Sequence, residues 1–317
     1  MIMRKDQTLS YTNKKHEKIF SRRRLKKDYP LYLMLLLPVV LVFIFRYIPM
    51  FGVMIAFKNY LPAKGILGSV WTGWNNFHVL FTMPGFFQAV ENTVLIAVWK
   101  IALGVAVPVF FTLLLNEIRY AGLKKGIQTL IYLPHFISWV MLAGIFIKLL
   151  GGSGIVNELL GFLGIDPIIF LGDNRWFRKT VILMDVWKEF GYNTIVYLAA
   201  ISGVNMDLYE AAQVDGAGHF KQVWYVTMPA ILPTILLMTT LNIGNILNAG
   251  FDQIFNLYSP IVYETGDIID TFVYRIGLGS GQFGISTAAG LFKSVISSVL
   301  LILSYKIAYK TTGYRVF

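Results

Sequence analysis

Residues 210–229 read EAAQVDGAGHFKQVWYVTMP, a polar stretch that lies between two long apolar segments. It begins with the triplet EAA at 210–212, has a glycine at Gly216 and ends in Met228-Pro229. Connections between packed helices commonly take about two to eight residues, and this one uses some twenty. The extra length and the internal glycine predict a helix–turn–helix that acts as a docking surface rather than as a simple connection.

The composition around this stretch is that of an integral membrane protein. Of the 317 residues, 56% are apolar and only 14% are charged, whereas soluble domains carry about 25% charged residues. Cysteine is absent, and no two of the four histidines (His16, His78, His135 and His219) have a metal-ligand spacing, so we expect no metal site. Ten of the 28 Lys and Arg fall within residues 1–29, which is typical of a cytoplasmic flank and not of a nucleic-acid-binding groove.

Six apolar segments are long enough for a helix to cross the hydrocarbon core, which takes about 20 residues for about 30 Å. They are residues 31–56, 89–115, 127–150, 181–204, 230–250 and 288–309. The predicted fold class is therefore an all-α integral membrane protein with about six transmembrane helices.

The distribution of Lys and Arg predicts the orientation. These residues are more numerous in the segments on the N-terminal side of the membrane, which places both termini in the cytoplasm. The loop at about 205–229, between the fourth and fifth spans, is then cytoplasmic. We predict a basic cytoplasmic arm over residues 1–29 and a single transmembrane domain over residues 30–317.

Within the loop, Asp207 and Glu210 have the spacing of a capping box, which predicts a helix that starts at Asp207. Gly216 and Gly218 allow a sharp turn after it, because glycine reaches positive φ without steric cost. A second short helix is expected over residues 220–227, ending before Met228-Pro229.

The pattern Glu210-Ala211-Ala212, Gly216, Val226, Met228, Pro229 resembles the EAA loop in the membrane subunits of binding-protein-dependent ABC importers. Val226 and Met228 stand where that family has Ile and Leu. Further segments resemble the carbohydrate-uptake branch, and in part permeases for oligosaccharides and uronate-containing polysaccharide fragments. These segments are 47–60, 73–77, 91–93 and 215–217, and the resemblance covers roughly residues 30–317.

The resemblance implies that the chain is a permease subunit in the bacterial cytoplasmic membrane and not an enzyme. The implied partners are a second permease (in this family often a different chain), an ATPase dimer, an extracytoplasmic solute-binding protein and a carbohydrate substrate. Each permease would insert its EAA helix into a cleft of the ATPase. The implied coupling residues are Glu210, Ala211, Ala212, Asp215, Gly216 and Ala217. The sequence has no G-x4-G-K-[ST] loop, so we expect no cofactor here and place ATP and Mg²⁺ on the partner ATPase.

Polar side chains inside the spans indicate a substrate path, because such residues are costly in lipid and tend to face other helices or water. In the fourth span Asp185, Lys188 and Glu189 share one helical face at i+3 and i+4 spacing. This pattern fits an internal ion pair as well as it fits a substrate role.

In the fifth span, Asn242, Asn245 and Asn248 are spaced by three and Asp252 follows at i+4, so these four side chains are predicted to lie on one face. Their amides suit sugar hydroxyls, and aromatic rings of the fourth span suit stacking. The predicted path residues are Trp187, Lys188, Tyr192, Asn193, Tyr197, Asn242, Asn245, Asn248 and Asp252. Lys100 and Lys188 could attract an acidic sugar, although two lysines do not establish uronate specificity.

Two other classes of function remain open at this point. A membrane-embedded lipid or phosphoalcohol transferase is suggested by Asp215-Gly216, which begins like the signature of the phosphoalcohol family. His219-Phe220, however, occupy the Ala-Arg positions of that signature, and its downstream aspartates are absent. A secondary transporter would show inverted repeats and intramembrane carboxylates for ion coupling. The sequence shows no clear repeat and few such carboxylates.

Overall fold

The computed structural model describes residues 22–244 and 247–312. Most of the predicted N-terminal arm lies outside these residues, and its described part, from Arg22 onward, is helical. The chain divides into two units, Met1–Val53 and Met54–Phe317. The prediction of one domain over residues 30–317 stays a prediction.

The described residues are almost entirely helical. The α-helices of the first half are α1 (Arg22–Val42), α2 (Ile48–Met50), α3 (Gly65–Gly68), α4 (Asn75–Thr82), α5 (Phe86–Glu117), α6 (Ala121–Tyr132), α7 (Trp139–Leu149) and α8 (Ile155–Phe162). Those of the second half are α9 (Asn174–Ser202), α10 (Met206–Val214), α11 (His219–Gln222), α12 (Met228–Gly244), α13 (Phe251–Leu257), α14 (Tyr263–Gly266), α15 (Ile269–Tyr274) and α16 (Phe283–Thr312).

Shorter elements join these helices. The 3₁₀ turns are Phe51–Phe57, Pro62–Lys64, Leu133–Phe136 and Pro260–Val262, and the π-helical turns are Phe43–Tyr47, Val223–Thr227 and Arg275–Gly279. Strand β1 (Lys58–Asn59) pairs antiparallel with β2 (Val70–Trp71) in a small hairpin. This hairpin is held by Asn76, whose Nδ2 donates to the carbonyls of Ala56 and Lys58, each at 2.9 Å.

Four described helices are long and apolar enough to cross a membrane, and a fifth span is possible from a bent pair. The four are Asp28–Phe57, Phe86–Glu117, His219–Gly244 and Phe283–Lys306. Helix α9 is 29 residues long, but its charged residues set it apart from these apolar helices. The prediction of six spans therefore holds only in part among the described residues.

The predicted third span, 127–150, is not one helix. Helices α6 and α7 meet at an angle of 102° across the break that follows Phe136. Pro134 removes a backbone donor there, and Ser138 starts the new helix by accepting a hydrogen bond from the amide of Met141 at 3.4 Å. This break could not be predicted from the sequence, because the segment is an uninterrupted run of mostly apolar residues.

The predicted fifth span, 230–250, is also too long. Helix α12 ends at Gly244, and Gly250, with a φ of 95°, precedes α13. Asn248 and Asp252 therefore lie beyond the end of α12, and the predicted common face does not exist for them.

The core lies between α5, α7, α9 and α13. Ile96, Ala143, Phe177 and Ile254 from these helices are buried together. Close packing also occurs at Gly191 of α9, where an added Cβ would lie 2.0 Å from the carbonyl oxygen of Ile131. Helix α9 is thus fixed against α5 on one side and α6 on another.

Candidate functional site: the coupling loop and the intramembrane cavities

The coupling loop, residues 205–229, contains a well-capped helix. Asn205, not Asp207, is the N-cap of α10, because its Oδ1 accepts from the amide of Asp207 at 3.1 Å. The predicted capping box with Asp207 as the cap is therefore wrong. Asp207 lies in the first turn instead, where its charge is favourable to the helix dipole.

Gly216 ends α10 in the predicted way. Its φ is 75°, and the chain closes with two hydrogen bonds, from the amide of Ala217 to the carbonyl of Ala212 at 2.8 Å and from that of Gly216 to Gln213 at 3.0 Å. This pair of bonds is the Schellman motif, which requires a left-handed residue at the position of Gly216. Gly218, by contrast, has a φ of −68°.

The loop continues into the next span without a break. Helix α11, the π-helical turn Val223–Thr227 and α12 form one helical rod, His219–Gly244, so the predicted end before Met228 is wrong. The π-helical turn Phe43–Tyr47 likewise ends two residues before a proline, Pro49. A proline ring clashes with the carbonyl four residues earlier, and a widened turn relieves this clash without ending the helix.

Helix α10 is tied to the base of this rod. The hydroxyl of Tyr209 lies 2.9 Å from Oγ1 of buried Thr227, and Nε2 of buried Gln222 donates to the carbonyl of Ala217 at 3.0 Å. Of the predicted coupling residues, Glu210, Ala211, Asp215 and Gly216 are exposed, and Ala212 and Ala217 are half-buried.

The coupling helix also carries exposed apolar side chains. Val214 is 89% exposed, and Leu208 and Met206 are exposed as well. The loop therefore presents exposed apolar side chains together with the carboxylates of Asp207, Glu210 and Asp215.

In α9, Lys188 pairs with its neighbour Glu189, but Asp185 does not pair with either of them. Asp185 pairs with Lys100 of α5, with Nζ to Oδ1 at 3.1 Å. The same Nζ donates to the carbonyl of Ala249 at 2.9 Å and to Oε1 of Gln253 at 2.5 Å. All three ammonium donors of Lys100 are thus used, and they hold the segment between α12 and α13.

Lys188 points to the bend between α6 and α7. It is 6% exposed, and its Nζ donates to the carbonyl of His135 at 2.7 Å and to Oε1 of Glu189 at 2.9 Å. The ring of His135 stacks on Tyr192, with centroids 3.9 Å apart, and its Nδ1 lies 2.6 Å from Oε2 of Glu189. Lys188 and Tyr192 thus stabilise the bend.

Three of the predicted path residues line one cavity. This cavity, here called the asparagine cavity, has a volume of about 300 Å³ and is lined by Asn193, Asn242 and Asn248 together with Lys100, Asp185 and Glu189. Amides and charges from α5, α9 and α12 converge here, an arrangement that can accept and donate hydrogen bonds to hydroxyl groups.

The other predicted path residues lie elsewhere. Trp187 lines an apolar cavity beside Phe146, with ring centroids 5.6 Å apart. Tyr197 is 2% exposed within the core, so its ring offers no stacking surface. Asp252 is exposed on α13, and Asn245 lies outside the described residues.

A second cavity contains residues that the sequence reasoning missed. This aromatic cavity has a volume of about 470 Å³ and is lined by Asn248, Phe251, Asp270, Val273, Tyr274, Gly277, Leu278, Phe283, Ser286 and Lys293. Asn248 lines both cavities. A lysine near the middle of an apolar helix, Lys293, was the available signal.

A buried polar cluster joins α5, α9 and the segment before α15, because Nδ2 of Asn92 donates to the carbonyl of Asp267 at 3.0 Å and Arg178 donates to Oδ1 of Asn92 at 2.7 Å. Asp267 is 4% exposed, and its carboxylate accepts from Arg275 at 2.5 Å and from Thr271 at 2.8 Å. Burial raises the pKa of Asp267 above its ordinary value, against the lowering effects of Thr271 and Arg275. Burial also raises the pKa of Tyr258, with a further contribution from Tyr263.

Comparisons with known proteins agree with this architecture. Residues 104–312 match the family described as binding-protein-dependent transport system inner membrane component. The chain is 44% identical over 281 residues, 88% of each chain, to the polygalacturonan/rhamnogalacturonan transport system permease protein YteP of Bacillus subtilis strain 168.

A crystal structure of a bacterial alginate ABC transporter, in complex with an alginate pentasaccharide-bound periplasmic protein, contains a similar chain. The TM-score is 0.86 at 39% sequence identity, over 93% of this chain and 99% of that one. The resemblance first noted in residues 210–229 is confirmed. The chain belongs to the family of inner membrane components of binding-protein-dependent transport systems.

Proposed function

We propose that the chain is the permease subunit of an ABC importer that carries an acidic oligosaccharide into the bacterial cytoplasm. In this proposal it pairs with a second, different permease, and a solute-binding protein outside the membrane delivers the sugar. Both termini and the coupling loop face the cytoplasm. ATP and Mg²⁺ bind to a partner ATPase dimer, so the chain itself catalyses no reaction and carries no cofactor.

The observation that carries the proposal is the construction of the coupling loop. An exposed helix, α10, is capped at both ends and joined by Tyr209 to the rod that reaches Asn242 in the asparagine cavity. Gln222 of the rod also holds the turn after α10, at the carbonyl of Ala217. A movement of α10 therefore reaches the cavity through hydrogen bonds and continuous helix. Such a connection suits a permease that must respond to ATP binding on another subunit, because a ligand shifts only an equilibrium whose two states it binds differently.

The substrate class is supported by the relatives and by the cavities. The Bacillus subtilis relative YteP is named a polygalacturonan/rhamnogalacturonan permease, and the similar structure belongs to an alginate transporter. Both names refer to acidic polysaccharides. In this chain the two cavities offer amides, a hydroxyl and aromatic rings, which are the groups that bind sugar hydroxyls and ring faces.

The test is a detergent pull-down of the tagged chain with identification of its partners by mass spectrometry. Glu210→Lys reverses a charge on the exposed face of α10, and Glu158→Lys reverses one on exposed α8 as the matched control. We expect the wild type and the Glu158→Lys variant to recover an ATPase and a second permease, and Glu210→Lys to recover less ATPase with the same amount of permease. Equal recovery of ATPase by both variants would contradict docking on this loop.

A further inference from the structure

Three lysines lie near the middle of the long helices α5, α9 and α16: Lys100, Lys188 and Lys293. Lys100 has three hydrogen-bond acceptors, and Lys188 has two together with the face of Trp139 at 5.7 Å. Lys100 therefore stabilises the chain between α12 and α13, and Lys188 stabilises the bend between α6 and α7. The sequence suggests that Lys100 and Lys188 attract an acidic sugar, but these hydrogen bonds already occupy their ammonium groups and argue against that role.

Lys293 is different. Among the described residues its Nζ has one hydrogen-bond acceptor, Oδ1 of Asp270 at 2.5 Å. An ammonium has three donors, so Lys293 keeps donor capacity. The two side chains are 21% and 23% exposed, and both line the aromatic cavity.

The cavity around this pair has the size and lining of a ligand site. Its volume of about 470 Å³ falls in the range of about 300–1,000 Å³ that is usual for ligand pockets. The rings of Phe251 and Tyr274 lie with their centroids 5.6 Å apart and their planes tilted by 49°, and Tyr274 is 40% exposed. Asn248 and Ser286 add hydrogen-bonding groups, and Asn248 connects this cavity to the asparagine cavity.

We propose that Lys293, held in place by Asp270, is the carboxylate receptor that gives the path its preference for acidic over neutral sugars. This inference rests on the proposed function and assigns the transporter's preference for acidic sugars to one residue. A uronate carboxylate accepts from the donors of Lys293 that Asp270 leaves over, while its ring lies against Tyr274. Asp270 keeps the lysine paired when no sugar is present, since an unpaired charge at this depth is costly.

The test uses the complete transporter, with partner permease, ATPase and binding protein, reconstituted in liposomes. Uptake of a short oligogalacturonate is compared with uptake of the same oligosaccharide whose carboxylates have been reduced to hydroxymethyl groups. The measured quantity is the ratio of acidic to neutral uptake in each variant relative to wild type. Because the same binding protein supplies both sugars, its own preference cancels from this ratio.

Lys293→Met removes the charge and keeps the length of the side chain. We expect it to lower the ratio about tenfold or more, since hydrogen bonds to charged groups have effects of this size. Lys293→Arg should retain most of the preference. The double variant Lys293→Met with Asp270→Asn leaves no unpaired charge and should show the same loss of preference as Lys293→Met, even where the single variant assembles poorly.

Lys179→Met, at the exposed start of α9, is the control and should keep the wild-type ratio. An unchanged ratio in both Lys293→Met and the double variant would overturn the inference while leaving the proposed function intact. A wild-type complex that takes up neither sugar would instead overturn the proposed function, and this inference with it.

Discussion

Gly216 adopts a backbone conformation that other residues avoid, with a φ of 75° and no atom within 4 Å of the position that an added Cβ would take. Space is thus available for a side chain, and the cost of one comes from the backbone alone. Gly216→Ala should destabilise the end of α10 by about 1–2 kcal/mol, the usual cost of a left-handed L-residue. We expect binding-protein-stimulated ATP hydrolysis to fall severalfold while membrane insertion is retained.

Gly218 provides the matched control for this change. It lies two residues away, an added Cβ there would also meet no atom within 4 Å, and its φ is ordinary. Gly218→Ala should therefore retain most of the stimulated hydrolysis. If both variants lost the same activity, the left-handed turn would not be the cause.

Asp267 makes the stability of the protein depend on pH. Its pKa is raised above 3.8 in the folded chain by burial. At low pH the folded and unfolded chains both hold the proton; as the pH rises, the unfolded chain releases it first. This carboxyl therefore contributes stability below its ordinary pKa, and that contribution is lost as the pH rises through the raised value.

Asp267→Asn removes this titration. Thermal unfolding of the purified complex, measured from about pH 4 to neutrality, should show a smaller decrease of the melting temperature with pH in the variant than in the wild type. Parallel curves for the two proteins would show that the carboxyl titrates as it does in an unfolded chain.

At the residue scale, the sequence predicted the local conformations that depend on residues nearby in the chain. The turn at Gly216 follows from the conformational freedom of glycine, and it was found as predicted. Lys100 as the partner of Asp185 and the His135 carbonyl as a partner of Lys188 could not be found in this way, because they lie on another helix and at a bend. Helical spacing shows which side chains share a face and not which ones a neighbouring helix offers.

At the scale of elements, the segment between α12 and α13 depends on a residue far from it in sequence. Lys100, with a side chain 10% exposed, donates to Ala249 in that segment, to Gln253 of α13 and to Asp185 of α9. Lys100→Met should destabilise the protein by about 3–5 kcal/mol, because it leaves Asp185 without its partner cation. Thermal unfolding of the complex measures this loss.

The double variant Lys100→Met with Asp185→Asn separates charge from packing. It should recover part of the lost stability, since neither charge is then left alone. A double variant as unstable as the sum of the two single ones would show that the ion pair itself has little influence and that the bonds to the α12–α13 segment dominate.

Helix ends and breaks were the least predictable elements, and the prolines show why. Pro108 lies inside continuous α5, Pro229 follows a π-helical turn in a continuous rod, and Pro134 accompanies a bend of 102°. The three look alike in an apolar sequence. At the bend, Lys188 donates to the carbonyl of His135, and such a contact from another helix cannot be predicted from the residues around a proline.

For the whole molecule, the absence of cysteine from the 317 residues permits a direct test of orientation. Single cysteines at Val214 of α10 and Phe162 of α8, which are 89% and 87% exposed, offer well-accessible thiols. A membrane-impermeant maleimide added to intact cells should label Phe162→Cys and leave Val214→Cys unlabelled, with the reverse result in inverted vesicles. Labelling of both sites from the same side would contradict the proposed topology.

The helical nature of the chain followed from composition, whereas the number of spans did not. Helix α9 is charged enough to fall outside the apolar helices, yet within the fold Asp185 pairs with Lys100 and Lys188 pairs with Glu189. The mean hydropathy of a segment is lowered by its charged residues whether or not they are paired in the fold. Their compensation is a property of the assembled helices.

The unbroken rod from His219 to Gly244 has a mechanical consequence. Its 26 residues, at a rise of 1.5 Å each, make a lever about 39 Å long. Because Tyr209 joins α10 to Thr227 near its base, a tilt of only about 5° there moves the far end by about 3 Å, roughly the length of a hydrogen bond. If Asn242 lines the sugar path as we propose, a small displacement of the loop is amplified there into the making or breaking of individual contacts with the sugar.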